Sequence, residues 1–165
     1  MAKRPQTAHD LFRKGTRALQ QGETADAVKF LEKARKKDPD HKDITLNLSS
    51  AYILSKKFKQ AIPLLEKLLE ELSDVPSLWL NLGAAYLGNP ILAKDEDQKK
   101  AISAFAKAYE INPRTPNAAY NLGLVHRDRQ EYSKAKAWFV RAVEANPEDE
   151  DAEEYIAKMD AKLAE

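Results

Sequence analysis

The sequence predicts an all-α fold of stacked antiparallel helix pairs, and three observations carry that expectation. The stretch Trp79-Leu80-Asn81-Leu82-Gly83-Ala84-Ala85-Tyr86 puts Trp79, Leu82, Gly83 and Tyr86 on one stripe of a helix, with Ser77, Asn81, Ala84 and Leu87 roughly opposite. One face is built to pack, and the other is free for work. Further on, Ala101, Phe105 and Ala108 mark a second apolar helix that closes on Pro113. The pattern then recurs, because Leu31, Leu65, Phe105 and Phe139 stand 34, 40 and 34 residues apart, a fixed period with one insertion of six.

The copies agree in detail. The first has Leu11 and Gly15, then Ala27, Leu31, Ala34 and Pro39; the second has Leu48 and Tyr52, then Ala61 and Leu65. The fourth has Leu122-Gly123, then Ala135, Phe139, Ala142 and Pro147. This pattern resembles the tetratricopeptide-repeat (TPR) signature W-x2-L-G-x2-Y…A-x3-F…P, all of whose key positions are filled in the third copy. The resemblance implies a right-handed superhelical solenoid in a single domain, 1–165. Its repeats are expected at about 8–41, 42–75, 76–115 and 116–149, with a capping helix at about 149–164.

Taken in order, residues 1–6 carry no periodicity and are expected to fray. Thr7 offers an N-cap hydroxyl for a helix reaching Gln20, and Gly22 supplies the turn. A helix from about Thr24 to Lys37 ends at Asp38-Pro39, since proline disfavours helix in the residue before it. In the second copy the break falls at Ser73-Asp74-Val75-Pro76. Pro63 stands early in that copy's second helix, where a missing N–H is expected to cost little. The insertion, about Gly88 to Gln98, carries the turn signal Gly88-Asn89-Pro90, the apolar pair Ile91-Leu92 and a capping run Asp95-Glu96-Asp97. It reads either as a tolerated loop or as a flap touching a ligand or a neighbouring subunit. In the last helix Tyr155, Ile156, Met159 and Leu163 form an apolar stripe that closes the stack. Ala27, Ala61, Ala101 and Ala135 mark the closest approach within each helix pair, and Trp79, Tyr86, Phe105 and Phe139 are expected in the core. Trp138 is the aromatic that can lie on the outer face.

Composition bounds the function. There is no cysteine, which removes disulfides, thiolate metal sites and cysteine nucleophiles. No apolar run has the length of a signal peptide or a membrane span, so the expected location is cytoplasmic. A net charge of +1 argues against nucleic acid as the main partner. Charge is uneven all the same: residues 1–42 hold eleven Lys or Arg against six Asp or Glu, and residues 144–165 hold two against nine. The ends read as two solvated caps or as a weak, salt-sensitive head-to-tail contact between molecules. His9, His41 and His126 lie in different repeats without a carboxylate or second histidine at helical ligand spacing, so no metal is expected. No phosphate loop or hydrolase motif appears either. Neither catalysis nor a cofactor is expected.

Asn47, Asn81 and Asn121 each stand immediately before the Leu-Gly pair or its equivalent, one per repeat. The resemblance implies that they form a column facing the concave groove. An asparagine there can bond a peptide backbone whatever its side chains, or it can be a solvated family residue. Around it the groove positions are Phe12, Leu46, Ser50, Leu54, Leu80, Ala84, Leu87, Tyr120 and Leu124, with Arg13 at one end and Arg127 toward the other. That channel should suit a protein or peptide partner with hydrophobic anchors. The related clamp for acidic chaperone tails uses Lys and Asn where this chain has Phe12 and Thr16, and Lys and Arg where it has Ser77 and Asn81; only its middle asparagine, Asn47, is kept, so such tails are not expected ligands. The leading expectation is therefore a non-catalytic interaction module, and the alternative is an assembly element, a weak homo-oligomer joined through its ends or its insertion.

Overall fold

A computed structural model describes residues 5–165. The first four positions of the expected frayed start lie outside the described residues. Among those described, regular structure is entirely helical: α1 (Ala8–Gln20), α2 (Thr24–Lys37), α3 (Lys42–Leu54), α4 (Phe58–Glu71), α5 (Pro76–Leu87), α6 (Asp95–Ile111), α7 (Ala118–Asp128), α8 (Tyr132–Ala145) and α9 (Glu150–Leu163). They pack as two compact units that divide between Leu72 and Ser73.

In the first unit α1 and α2 form one antiparallel pair, α3 and α4 the next. The Thr7 hydroxyl accepts the Asp10 amide at 3.1 Å while the Asp10 carboxylate accepts the Thr7 amide at 3.0 Å. This reciprocal cap satisfies two amides that a helix start leaves unpaired. Gly22 turns the chain at φ +74°, where a Cβ is disfavoured. Leu11, Ala34 and Ile44 form a buried cluster that ties α3 to the preceding pair. Pro63 stands deeper in its helix than the expected small cost of a missing N–H assumes. It is the sixth residue of α4, so its missing N–H lies beyond the four amides that have no intrahelical partner.

In the second unit the six inserted residues are divided between loop and helix, the loop gaining four and α6 three while α5 ends one residue early. The connection between α5 and α6 is 88–94, whereas the other pairs turn in three residues, and α6 has 17 residues against 14 in α2, α4 and α8. The expected irregular stretch to Gln98 is therefore shorter, because Asp95-Glu96-Asp97 already belong to a helix whose N-terminal dipole they favour. Three contacts fix the pairs. A Cβ at Gly83 would meet Phe105 at 2.5 Å, one at Gly123 would meet Phe139 at 2.6 Å, and in the first unit Gly15 stands likewise against Leu31. Ala27, Ala61, Ala101 and Ala135 are all fully buried, as the close approach requires.

The aromatic residues divide. Phe105 and Phe139 are core, but Trp79 and Tyr86 are only half-buried, and Trp79 Nε1 donates to the Ser73 carbonyl at 2.8 Å. Trp138 is half-buried as well, packed edge-on against Tyr109 at 5.1 Å with the Arg141 guanidinium 4.4 Å above it. In α9 the buried stripe is Ala152 and Met159, flanked by Tyr155 and Ile156, and it packs on Ala135, Phe139 and Ala142. Leu163 is corrected: it is 49% exposed, at the last turn of the helix.

Candidate functional site

The predicted binding residues fall on equivalent stripes of the first helix of each pair. In the first unit Phe12 and Arg13 lie on α1, and Leu46, Asn47, Ser50 and Leu54 on α3. Phe12 is half-buried against the Leu11/Ala34/Ile44 cluster, with its ring 5.7 Å from His41. Arg13 is exposed and Leu54 is 59% exposed. Two polar members are already engaged. Asn47 Nδ2 donates to the Thr16 hydroxyl at 2.9 Å, and the Ser50 hydroxyl donates to the Leu46 carbonyl at 3.2 Å. Asn47 thus bridges α1 and α3, leaving its carbonyl oxygen and one N–H for other use.

In the second unit α5 contributes Leu80, Asn81, Ala84 and Leu87, and α7 contributes Tyr120, Asn121, Leu124 and Arg127, in the same register. All eight are half-buried. Leu80 and Leu87 pack with their inner sides against Ala101, Phe105, Leu122 and Val125. Tyr120 and Leu124 do the same against the cluster beneath α9. The apolar members are therefore partly consumed by packing between helices, and what they offer a partner is their outer edge. The two amides differ from Asn47. Among the described residues neither the Asn81 nor the Asn121 side chain has a hydrogen-bond partner.

The end of this surface is electrostatically set. Arg127 holds Asp128 at 2.5 Å and lies 5.0 Å above the Tyr155 ring, with Lys158 4.9 Å from the same ring. Burial pulls the Arg127 pKa down, but the bond to Asp128 and the neighbouring Tyr155 outweigh it, and the net shift is upward. Tyr120 is pushed up by burial first and then by Tyr155, Asp151 and Asp149. Neither residue is poised to exchange a proton near neutral pH.

A polar cluster that spacing rules did not find lies at the α7–α8 turn. His126 is 8% exposed, and its Nδ1 meets Glu131 Oε2 at 2.7 Å. Arg129 joins Glu131 at 3.0 Å, Asp95 at 2.6 Å and Gln98 at 3.1 Å, so the start of α6 is braced against the last helix pair. Bonds from His126, Arg129 and Lys134 push the Glu131 carboxyl down to about 2. The signal missed was a separation of five across a turn, where a search at three and four residues along one helix is blind. Among the described residues no group of three or more His, Cys, Asp or Glu could hold a metal ion. No described helix is long and apolar enough to cross a membrane.

Family models described as tetratricopeptide repeat match residues 18–85 and 116–149. The chain is 25% identical over 154 residues to the human protein O-mannosyl-transferase TMTC3, and 28% identical over 170 residues to superkiller protein 3 of Schizosaccharomyces pombe. Those matches cover 93% and 100% of this chain but only 16% and 12% of the two relatives. Among solved structures, MamA from Desulfovibrio magneticus RS-1 has a TM-score of 0.77 at 23% identity, covering 87% of this chain and 77% of that one. TTC0263, a thermophilic TPR protein of Thermus thermophilus, has a TM-score of 0.76 at 19% identity, covering 95% and 83%. YrrB, described as a TPR protein with an unusual peptide-binding site, has a TM-score of 0.75 at 20% identity, covering 88% and 72%.

Proposed function

Because the chain belongs to the tetratricopeptide-repeat family, whose fold generally mediates contacts between proteins, we propose that it is a non-catalytic module binding a peptide segment of a partner protein along α5 and α7. The observation that carries this reading is the pair Asn81 and Asn121. They are half-buried amides in the same register of two helices of one unit, without an internal partner. A half-buried amide without a partner inside the protein gains by bonding a peptide group, which offers one donor and one acceptor at every residue. Leu80, Ala84, Leu87 and Leu124 supply apolar edges for side-chain anchors, and Arg127 marks a polar limit. Asn47 is secondary in this scheme, since one of its donors already serves Thr16. YrrB offers a precedent for peptide binding on this fold.

The test uses peptides selected from a random display library on the purified protein. In the double variant Asn81→Ala/Asn121→Ala, binding of the selected peptides should weaken by about tenfold or more, as loss of two hydrogen bonds of about 1 kcal/mol each predicts. The melting temperature should stay within about a degree of the parent, because neither amide holds the fold together. Unchanged affinity, or an equal loss of affinity and stability, would remove this surface as the binding site.

A further inference from the structure

α3 in the first unit and α7 in the second are each covered on two sides, and the covering residues repeat. Toward the preceding helix, α3 buries Ile44, Leu48 and Ala51, α7 buries Ala118, Leu122 and Val125, and α9 sets Ala152, Ile156 and Met159 against α8. At the same three positions α1 carries Asp10, Lys14 and Arg17, all exposed, with Arg13 beside them. These residues border an open cleft of about 690 Å³. Toward its own partner helix α1 presents Leu11, Gly15 and Ala18, and α7 presents Ala119, Gly123 and His126, all buried. The same positions of α9 are Glu153, Ala157 and Asp160, all exposed.

α1 of the first unit and α9 of the second therefore each have one exposed helix face, and the two faces are opposite in charge. Among the described residues Arg13 and Arg17 have no ion pair, nor do Glu150 and Glu153, whereas Glu154 pairs with Lys158 and Asp160 with Lys136. Both helices are nearly the same length, with 13 and 14 residues. Set antiparallel, the basic second half of α1 meets Glu150, Glu153 and Glu154 at the start of α9, and Lys158 and Lys162 come toward Asp10. Ala157, in the middle of the α9 face, occupies the place that glycine holds in α7, so a helix can come close there.

We propose that α1 of one molecule docks antiparallel on the uncovered face of α9 of a second copy of this chain, joining copies head to tail. The contact is heterologous, so each copy keeps one free end of each kind, and association continues past the dimer as concentration rises. Its attraction comes from exposed charges and is therefore screened by salt.

Sedimentation equilibrium of the full chain tests this. At about 0.01 M salt, where charges act over about 30 Å, the mass should rise with concentration above the 18.6 kDa of one chain. At about 1 M salt it should return to one chain. Arg13→Glu/Lys14→Glu/Arg17→Glu and Glu150→Lys/Glu153→Lys/Glu154→Lys should each be monomeric at low salt, and an equimolar mixture of the two should associate again. Far-UV circular dichroism verifies that each is folded. Should either triple variant be unfolded, the neutral pair Lys14→Gln/Arg17→Gln replaces it and should weaken low-salt association by roughly tenfold. A single-chain mass at low salt, an association indifferent to salt or to either set of substitutions, or a mixture of folded variants that fails to associate would each overturn the proposal.

Discussion

Replacing Gly123 by alanine tests the packing that defines the helix pair, because two known effects oppose each other there. In an open helix the exchange stabilises by about 0.8–1.0 kcal/mol through helix propensity. At position 123 the new Cβ would lie 2.6 Å from Phe139 Cε1, 2.7 Å from Cδ1 and 2.8 Å from Cζ, where carbon atoms in contact prefer about 3.5–4.0 Å. The ring would have to withdraw by roughly 1 Å. It has no open direction: Phe139 is fully buried, stacked on Tyr155 at 4.9 Å and met edge-on by Tyr120 at 5.7 Å. Overpacking of this kind costs about 1–3 kcal/mol. The net is a loss of about 1 kcal/mol, a fall in melting temperature of roughly 2–4 °C for a chain of this size.

The second repeat supplies the control, since it has Ser49 where the others have glycine and Leu65 where the second unit has phenylalanine, both fully buried. In a Phe139→Leu background, then, Gly123→Ala should cost less than it does beside phenylalanine, a coupling of about 1 kcal/mol. Thermal and urea unfolding followed by tryptophan fluorescence reads this directly, because Trp79 and Trp138 are the two tryptophans of the chain and both lie in the second unit. A Gly123→Ala protein that melts at or above the parent, or a double variant whose effects simply add, would refute the assigned contact.

Ala135→Leu should destabilise by about 1–3 kcal/mol, since the residue is fully buried where α7 and α8 meet; a urea midpoint equal to the parent's would contradict it. Glu131→Gln should lower the melting temperature at neutral pH by removing a carboxylate bonded to His126, Arg129 and Lys134. With the folded pKa depressed to about 2, that contribution is present above the ordinary glutamate range, near 4.3, and is lost as pH falls through it. Melting curves of parent and variant should accordingly converge between about pH 4.3 and pH 2. Ala84→Thr should weaken selected peptides several-fold at an unchanged melting temperature, because a hydroxyl there would engage Asn121 as Thr16 engages Asn47; peptide affinity equal to the parent's would count against it.

The periodic apolar positions were readable because they answer to one constraint repeated in every pair. Ala27, Ala61, Ala101 and Ala135 are fully buried, and α2 begins and ends where proline and turn chemistry place it. Departures came where a residue's fate depends on neighbours outside its own repeat. Leu163 has the right spacing for the α9 stripe but lies past the helix that would cover it. Trp79 fills the signature position yet stays half-buried, its indole N–H turned to the Ser73 carbonyl. Glu131 was invisible to helical spacing because the turn, not a helix, brings it to His126.

The asparagines show the same dependence at the site. Sequence spacing makes Asn47, Asn81 and Asn121 equivalent, but Asn47 and Asn121 differ in the residue at one position of the preceding first helix of their own unit. For Asn47 that residue is Thr16, whose hydroxyl accepts the amide N–H at 2.9 Å. For Asn121 the corresponding residue is Ala84, which has nothing to accept with, and the amide is left without a partner among the described residues. A half-buried amide that finds no partner within the chain costs stability unless water or a ligand supplies one. The identity of position 84 therefore carries as much of the argument for binding as the asparagine itself.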